Sequence, residues 1–132
     1  MVFVNSWGPI PGPDFAFPDV CLTPVVVPVP VPYPNFGIPF LAIPTQFTVF
    51  KLFMPAFNML TTKVITLGDQ AGVLLGVASG LFMGPARHVF GSTNVFIGGP
   101  PTTKMLSPTI HNGTNDPGLT LAPSQVKSIV LR

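Results

Sequence analysis

Eighteen of the 132 residues are proline, and in the run VVVPVPVPYPN (Val25–Asn35) proline takes every second position from 28 to 34. Proline lacks an N–H and holds φ at about −65°. In an extended segment alternate N–H groups point the same way, so the donors missing at Pro28, Pro30, Pro32 and Pro34 all fall along one edge. Val29, Val31 and Tyr33 keep theirs on the other. The segment is therefore expected to pair on one side only, as a stiff edge strand. A rigid polyproline linker is the alternative, but valines between the prolines favour a packed segment.

Prolines and thirteen glycines recur along the rest of the chain and exclude long helices. The expected fold class is mainly β: one domain over 1–132 built from short strands and hairpins, with at most one short helix. Strands are expected at Gln46–Phe53, Asn94–Ile97 and Gln125–Leu131, and the short helix at Gly72–Met83. A turn is expected over His111–Gly118, HNGTNDPG. Residues 1–19 read as irregular, with 1–14 an N-terminal arm. The residues Val49, Phe50, Pro55, Met59, Leu60 and Thr61 recur 46 positions later as Val95, Phe96, Pro101, Met105, Leu106 and Ser107. This echo predicts a duplicated hairpin, and repeated hairpins about an axis suit a pseudo-symmetric body.

Apolar residues make up 47% of the chain and charged residues only 8%, against roughly 25% charged in an average domain. Such a surface cannot be coated in charge, so part of it is expected to await a partner. A bilayer is a poor candidate for that partner. The longest uncharged apolar stretch in the middle of the chain, Gly72–Ala86, is shorter than the roughly 20 residues of a spanning helix and is broken by glycines. No basic segment leads into an apolar run at the N-terminus. The chain therefore reads as soluble, made in the cytoplasm, and able to leave it only by a route without a cleaved signal. The net charge of +2 reflects four aspartates and no glutamate; the six basic residues are scattered, which argues against nucleic acid. Cys21 is the single cysteine, so no internal disulfide is available.

The segments FPDVCLTP (17–24), VPVPYPN (29–35), AIPTQF (42–47), GVASG (76–80), GPARH (84–88), TIHNG (109–113) and LAPSQVK (121–127) resemble, in order, the PAAR-like family. These are relatives of the proline-alanine-alanine-arginine repeat proteins of type VI secretion and other contractile injection systems. The namesake motif has decayed: Met54-Pro55-Ala56-Phe57-Asn58 and Gly99-Pro100-Pro101-Thr102-Thr103-Lys104 stand where it would fall. The resemblance implies a small cone with pseudo-threefold character. Its base would cap a trimeric valine-glycine-repeat (VgrG-type) spike, one tip per trimer, and its apex would touch the target membrane only in passing. It would travel with the spike, secreted without a signal peptide. An alternative role is the targeting portion of a larger toxin, recruiting effector cargo through an adaptor chaperone.

The resemblance also implies a metal near the apex, held by histidines and a cysteine. Here that set would be Cys21, His88 and His111, with Asp19 as fourth ligand, or else Asn112 or water. Zinc, or less fittingly iron, would then serve a structural role. Read without the family, a lone cysteine among apolar neighbours is ordinarily a small buried side chain, and no CxxC or HxxxH spacing is present. An enzyme is not expected. There is no glutamate to act as general base and no glycine-rich phosphate loop, and Asp69 in LGDQAG reads as a turn or cap. A small zinc enzyme would need an open coordination position.

Overall fold

Punctuated by proline and glycine, the chain makes eleven strands and no α-helix among the described residues. The structure, a computed structural model, describes residues 1–131. In chain order the strands are β1 (Val2–Phe3), β2 (Asp14–Thr23), β3 (Val29–Gly37), β4 (Ala42–Ile43), β5 (Phe50–Lys51), β6 (Met54–Pro55), β7 (Thr62–Lys63), β8 (Ala86–His88), β9 (Pro108–His111), β10 (Asp116–Thr120) and β11 (Ile129–Val130). A single 3-10 turn occupies Pro39–Leu41. Seven strands form one sheet in the order β3-β2-β10-β9-β8-β7-β4, and β1-β11 and β5-β6 make separate pairs. The fold is mainly β, as the sequence predicts.

The proline-alternating segment lies at the edge of the large sheet. β3 pairs antiparallel with β2, its other pairing being a single bridge from Phe36 to Leu67, and Val29, Val31 and Tyr33 face Thr23, Cys21 and Asp19. These are the residues that retain an N–H. Elsewhere the strands are shorter than their sequence suggests. Of Gln46–Phe53 only Phe50–Lys51 is strand, and Asn94–Ile97 contributes a single bridge, Phe96 to Pro101. Gly72–Met83 is not a helix but a run of turns laid along β2, with Leu74 N–H bonding Leu22 O at 3.1 Å and Val77 N–H bonding Val20 O at 2.9 Å. The turn in HNGTNDPG is confined to 112–115, and Asp116-Pro117-Gly118 opens β10. Gly118 is required there, since a Cβ would lie 2.4 Å from Phe15 O on the neighbouring strand.

The 46-residue echo proves to be part of a threefold arrangement. One arm is the β5–β6 hairpin, and a second is the loop closed by Phe96 and Pro101. The third is assembled from both ends of the chain, β11 against β1. Matching hydrogen bonds close the three arms: Ala56 N–H to Val49 O at 3.0 Å, Thr102 N–H to Val95 O at 2.9 Å and Val4 N–H to Ser128 O at 3.1 Å. Between the arms the backbone closes a ring, Asn5 N–H to Thr103 O, Thr103 N–H to Phe57 O and Phe57 N–H to Asn5 O, at 2.9, 3.3 and 2.9 Å. A second ring runs the opposite way, Trp7 to Pro55, Met59 to Pro101 and Met105 to Phe3, at 3.0, 2.9 and 2.8 Å. The N-terminal segment, read from the sequence as irregular over 1–19, is instead built into the body: it holds β1 and bridges at Val4 and Ser6, and residues 14–19 belong to β2. Val4, Asn5 and Ser6 are all buried. The small apolar core, Val4, Ala56, Ile97 and Val130 with Val2, Val49 and Val95 against it, draws on all three arms.

Glutamine side chains replace strand pairing at the roots of two arms. Gln46 Oε1 accepts the N–H groups of Thr48 and Val49 at 3.1 and 2.8 Å, while its Nε2 donates to Val49 O and Ala56 O. Gln125 repeats the pattern, accepting from Lys127 and Ser128 and donating to Val4 O and Ser128 O. Each is a local bracket that turns the chain into its arm. Removing one leaves buried backbone groups unpaired at about 1 kcal/mol or more apiece. We expect Gln125→Ala to lower stability by about 2–4 kcal/mol in guanidinium denaturation. The exposed neighbour change Val126→Ala is expected to stay within about 0.5 kcal/mol.

Candidate functional site

Two groups of buried polar side chains lie in the large sheet. The first sits where β2, the turn after β9 and the loop between β7 and β8 converge. Asp19 and Cys21, two residues apart on β2, project to the same face; Cys21 Sγ lies 3.3 Å from Asp19 Oδ1 and 3.9 Å from Asp69 Oδ2. One ligand atom from each of Asp19, Cys21 and Asp69 falls within 4.8 Å of the others, and all three residues are buried. Asp69 is held by the Met83 N–H at 2.8 Å. Gly72 lets the loop press onto the thiol, since a Cβ there would lie 2.2 Å from Cys21 Cβ.

Only neutral amides face these acids. Asn112 Nδ2 lies 3.2 Å from both Asp19 oxygens, 3.2 Å from Asp69 Oδ2, 3.8 Å from Cys21 Sγ and 2.8 Å from Leu81 O. Two amide hydrogens serve five acceptors, so the group is richer in electron pairs than in protons. Asn35 and Asn115 also donate to Asp19. Asp69 Oδ1 has no partner. Burial, then Asp19 and Asp69, push the Cys21 thiol up to about 12, and burial raises Asp69 as well. A cation would relieve both, and a thiolate and carboxylates are donors that metal ions take. This buried Asp-Cys-Asp group is able to hold a metal ion.

The second group joins the sheet to the rings. Lys63 pairs with Asp14, both buried. Thr120 Oγ1 donates to Asp14 Oδ1 at 2.6 Å, and His88 Nε2 lies 3.0 Å from Thr120 Oγ1 and 3.2 Å from Asn5 Nδ2. Of the four ligands expected from the sequence, the structure therefore brings Asp19 and Cys21 together and sets His88 in this separate network. His111 is buried on β9 with neither ring nitrogen partnered. Sequence reasoning missed Asp69 as a member of the first group, reading it as a turn or cap; it does open a turn, Gly72 N–H bonding Asp69 O at 2.8 Å. Its place depends on a 64–85 loop that folds back along β2, which no local pattern announces.

The family model described as Toxin PAAR-like domain matches residues 12–118. The chain belongs to that family. No match to a curated protein or to a solved structure was found. The match takes in the whole first polar group, Asp14, Lys63 and His88 of the second, and two of the three arms of this PAAR-like domain. It stops short of β11 and begins after β1, the strands of the third arm.

Burial holds His88 down at about 4, with Asp14 opposing that shift and Lys63 and His111 adding to it. The unfolded chain takes up this proton near pH 6.5, so between roughly pH 6.5 and 4 the unfolded state binds more protons than the folded one. Acidification through that window should weaken the fold, by up to about 1.4 kcal/mol per pH unit from this residue, and level off below it. Denaturant midpoints measured across the window should fall less steeply for His88→Gln than for the parent chain.

Proposed function

We propose that this PAAR-like domain is a non-catalytic spike tip, which caps a trimeric valine-glycine-repeat spike through its threefold face and is delivered with it. The observation that carries the reading is the pair of closed backbone rings relating the three arms. A single chain that meets a trimer end-on needs three equivalent contacts, and this chain supplies them. The corresponding positions Phe50, Phe96 and Ile129 are 53%, 59% and 48% exposed. Apolar side chains repeated at that spacing suit burial against a partner of the same symmetry.

The hairpin loops support the same reading. The turn Gly98-Gly99 takes positive φ at both residues, as a two-residue hairpin demands. The matching turn has Leu52 and Phe53 at φ 49° and 66°, and Phe53 is 95% exposed. Two bulky residues in left-handed conformations cost the isolated chain on the order of 1–3 kcal/mol each, a cost that contact with a partner would offset. In this reading the chain is made in the cytoplasm, leaves at the tip of the injection apparatus without a cleaved signal, and helps breach the target membrane and deliver effectors. The family's description as a toxin domain also favours the second role, targeting of an attached or adaptor-borne toxin. The Asp19, Cys21 and Asp69 group then has a structural purpose, with zinc the ion that best suits it.

Binding to the trimeric spike of the same secretion cluster tests this, with stoichiometry measured by mass. One chain per trimer is expected. Phe50→Asp, Phe96→Asp and Ile129→Asp together should abolish it while leaving the circular dichroism spectrum intact; unchanged binding would overturn the docking face. Replacing Leu52-Phe53 by Gly-Gly should stabilise the isolated chain by about 1–2 kcal/mol and weaken docking at least about tenfold.

A further inference from the structure

The chain's four aspartates, its only acidic side chains, are all buried: Asp14, Asp19, Asp69 and Asp116. Among the described residues the surface therefore carries cations and no acids. Lys63 is engaged by Asp14, and the salt bridges among the described residues all involve that aspartate. Lys51, Arg87, Lys104 and Lys127 are left without a carboxylate to pair with. Where such cations stand on a contact face, they select partners of opposite charge.

Lys127 is on the threefold face, and the symmetry of the arms gives it two equivalents. Gln46 Oε1 accepts the N–H groups of Thr48 and Val49 at the root of one arm. Ser92 Oγ accepts those of Asn94 and Val95 at 3.4 and 3.2 Å in the second, and Gln125 Oε1 those of Lys127 and Ser128 at 2.8 and 2.7 Å in the third. Thr48, Asn94 and Lys127 thus hold one position in three arms, and all are exposed. Each ends in a donor: a hydroxyl, an amide and an ammonium. Half-buried Val49, Val95 and Ser128 follow, and then exposed Phe50, Phe96 and Ile129, so the donors share a face with those apolar side chains. Lys127 also lines a groove of about 560 Å³ with Phe50, Leu52 and Phe53 of the neighbouring arm. Its ammonium has no hydrogen bond or ion pair among the described residues. The Thr48 hydroxyl has only a long contact, 3.5 Å, to Gln46 Oε1.

We propose that the trimer seated on this face is acidic at its end, each subunit presenting one carboxylate to the ring Thr48, Asn94 and Lys127. The inference rests on the spike-tip reading and adds the chemistry of the surface opposite. A homotrimer repeats any carboxylate three times about its axis. Three donors at equivalent positions match that repeat, although one alone is charged. Lys127 forms an ion pair, and Thr48 and Asn94 donate to ionised acceptors, bonds stronger than those between neutral groups. The ion pair closes beside Phe50 and Phe53, where apolar contact excludes water. A neutral end of the same shape would leave Lys127 desolvated and unpaired, which selects against it. Lys51 adds positive potential from the place that the core residues Ile97 and Val130 hold in the other arms. An anionic bilayer would also attract these lysines, but it has no threefold repeat to match donors placed once in each arm.

The test follows binding of the full chain to the trimeric spike of the same secretion cluster from low to high salt. Association of the parent chain should slow, and its affinity fall, as salt rises. Lys127→Glu should weaken binding by about tenfold or more. Lys127→Gln keeps a donor, so it should weaken binding less while removing much of the salt dependence. Thr48→Val with Asn94→Leu should weaken binding and leave the salt dependence in place. All three positions are exposed, so circular dichroism and denaturant midpoints should match the parent's. A carbodiimide, which joins an ammonium to a carboxylate, should couple Lys127 to an aspartate or glutamate of the spike, located by mass spectrometry. Parent-like binding by Lys127→Glu, with no salt dependence and no such cross-link, would overturn the acidic partner and leave the docking face standing. Salt-sensitive capture by phosphatidylserine vesicles that Lys127→Glu abolishes, with spike binding indifferent to the change, would overturn it in favour of lipid. Failure of the parent chain to bind the spike at all would overturn the spike-tip reading and this inference with it.

Discussion

The two backbone rings at the foot of the three arms set the terms for everything else in the molecule. Each ring passes a hydrogen bond from arm to arm and returns to its start, so no arm keeps its place unless the other two are present. This is an unusual way to organise a chain of this size. Ordinary domains are held by burial of large apolar side chains around one core. Here, of the twelve largest fully buried side chains, only Phe57 is apolar. The interior is built largely of threonines, asparagines and glutamines, many of which complete backbone hydrogen bonds, with two buried histidines among them. The stability of such an interior depends on satisfying each group, since an unmade buried bond costs more than a made one contributes.

The converse of a polar interior is an apolar exterior. With so few charges, the surface must be covered by valine, leucine and phenylalanine, including Val26, Phe53 and Leu131. An isolated protein of this kind is prone to associate. The two buried polar groups divide the remaining work. The Asp14, Lys63 and His88 network connects the large sheet to the rings through Asn5. The acidic group around Cys21 gathers strands and loop farther along β2.

Much of the architecture was legible in the sequence, for reasons that can be traced to particular residues. The alternating prolines predicted a one-sided strand, because a missing donor is a property of the residue alone. The echo between 49–61 and 95–107 predicted two related hairpins, because both copies are continuous in the chain. The third copy escaped notice because it is divided between Ser128–Val130 and Val2–Val4, and few of its residues match. Strand lengths were overestimated at Gln46–Phe53 and Gln125–Leu131 because the glutamines bond their own following backbone, which β-propensity does not register. Of the site, Asp19 and Cys21 were legible from their spacing of two. Asp69 was not, since long-range folding of the 64–85 loop brings it there. His88, grouped with the cysteine on the strength of resemblance, lies in the network that faces the rings.

The divided third arm bears on the order of events during synthesis. β1 leaves the ribosome before every other strand of the domain, and its partner β11 leaves after them. Until Ile129 and Val130 emerge, Val2 and Phe3 have no strand to pair with, and one arm of the three is missing. The large sheet, by contrast, is complete once β10 has been made. The threefold face therefore reaches its final form only once β11 has been made, by a contact between segments far apart in the chain, the slowest kind to form. A nascent chain caught short of that point would carry the polar interior and both buried groups, yet present only two thirds of its symmetric surface.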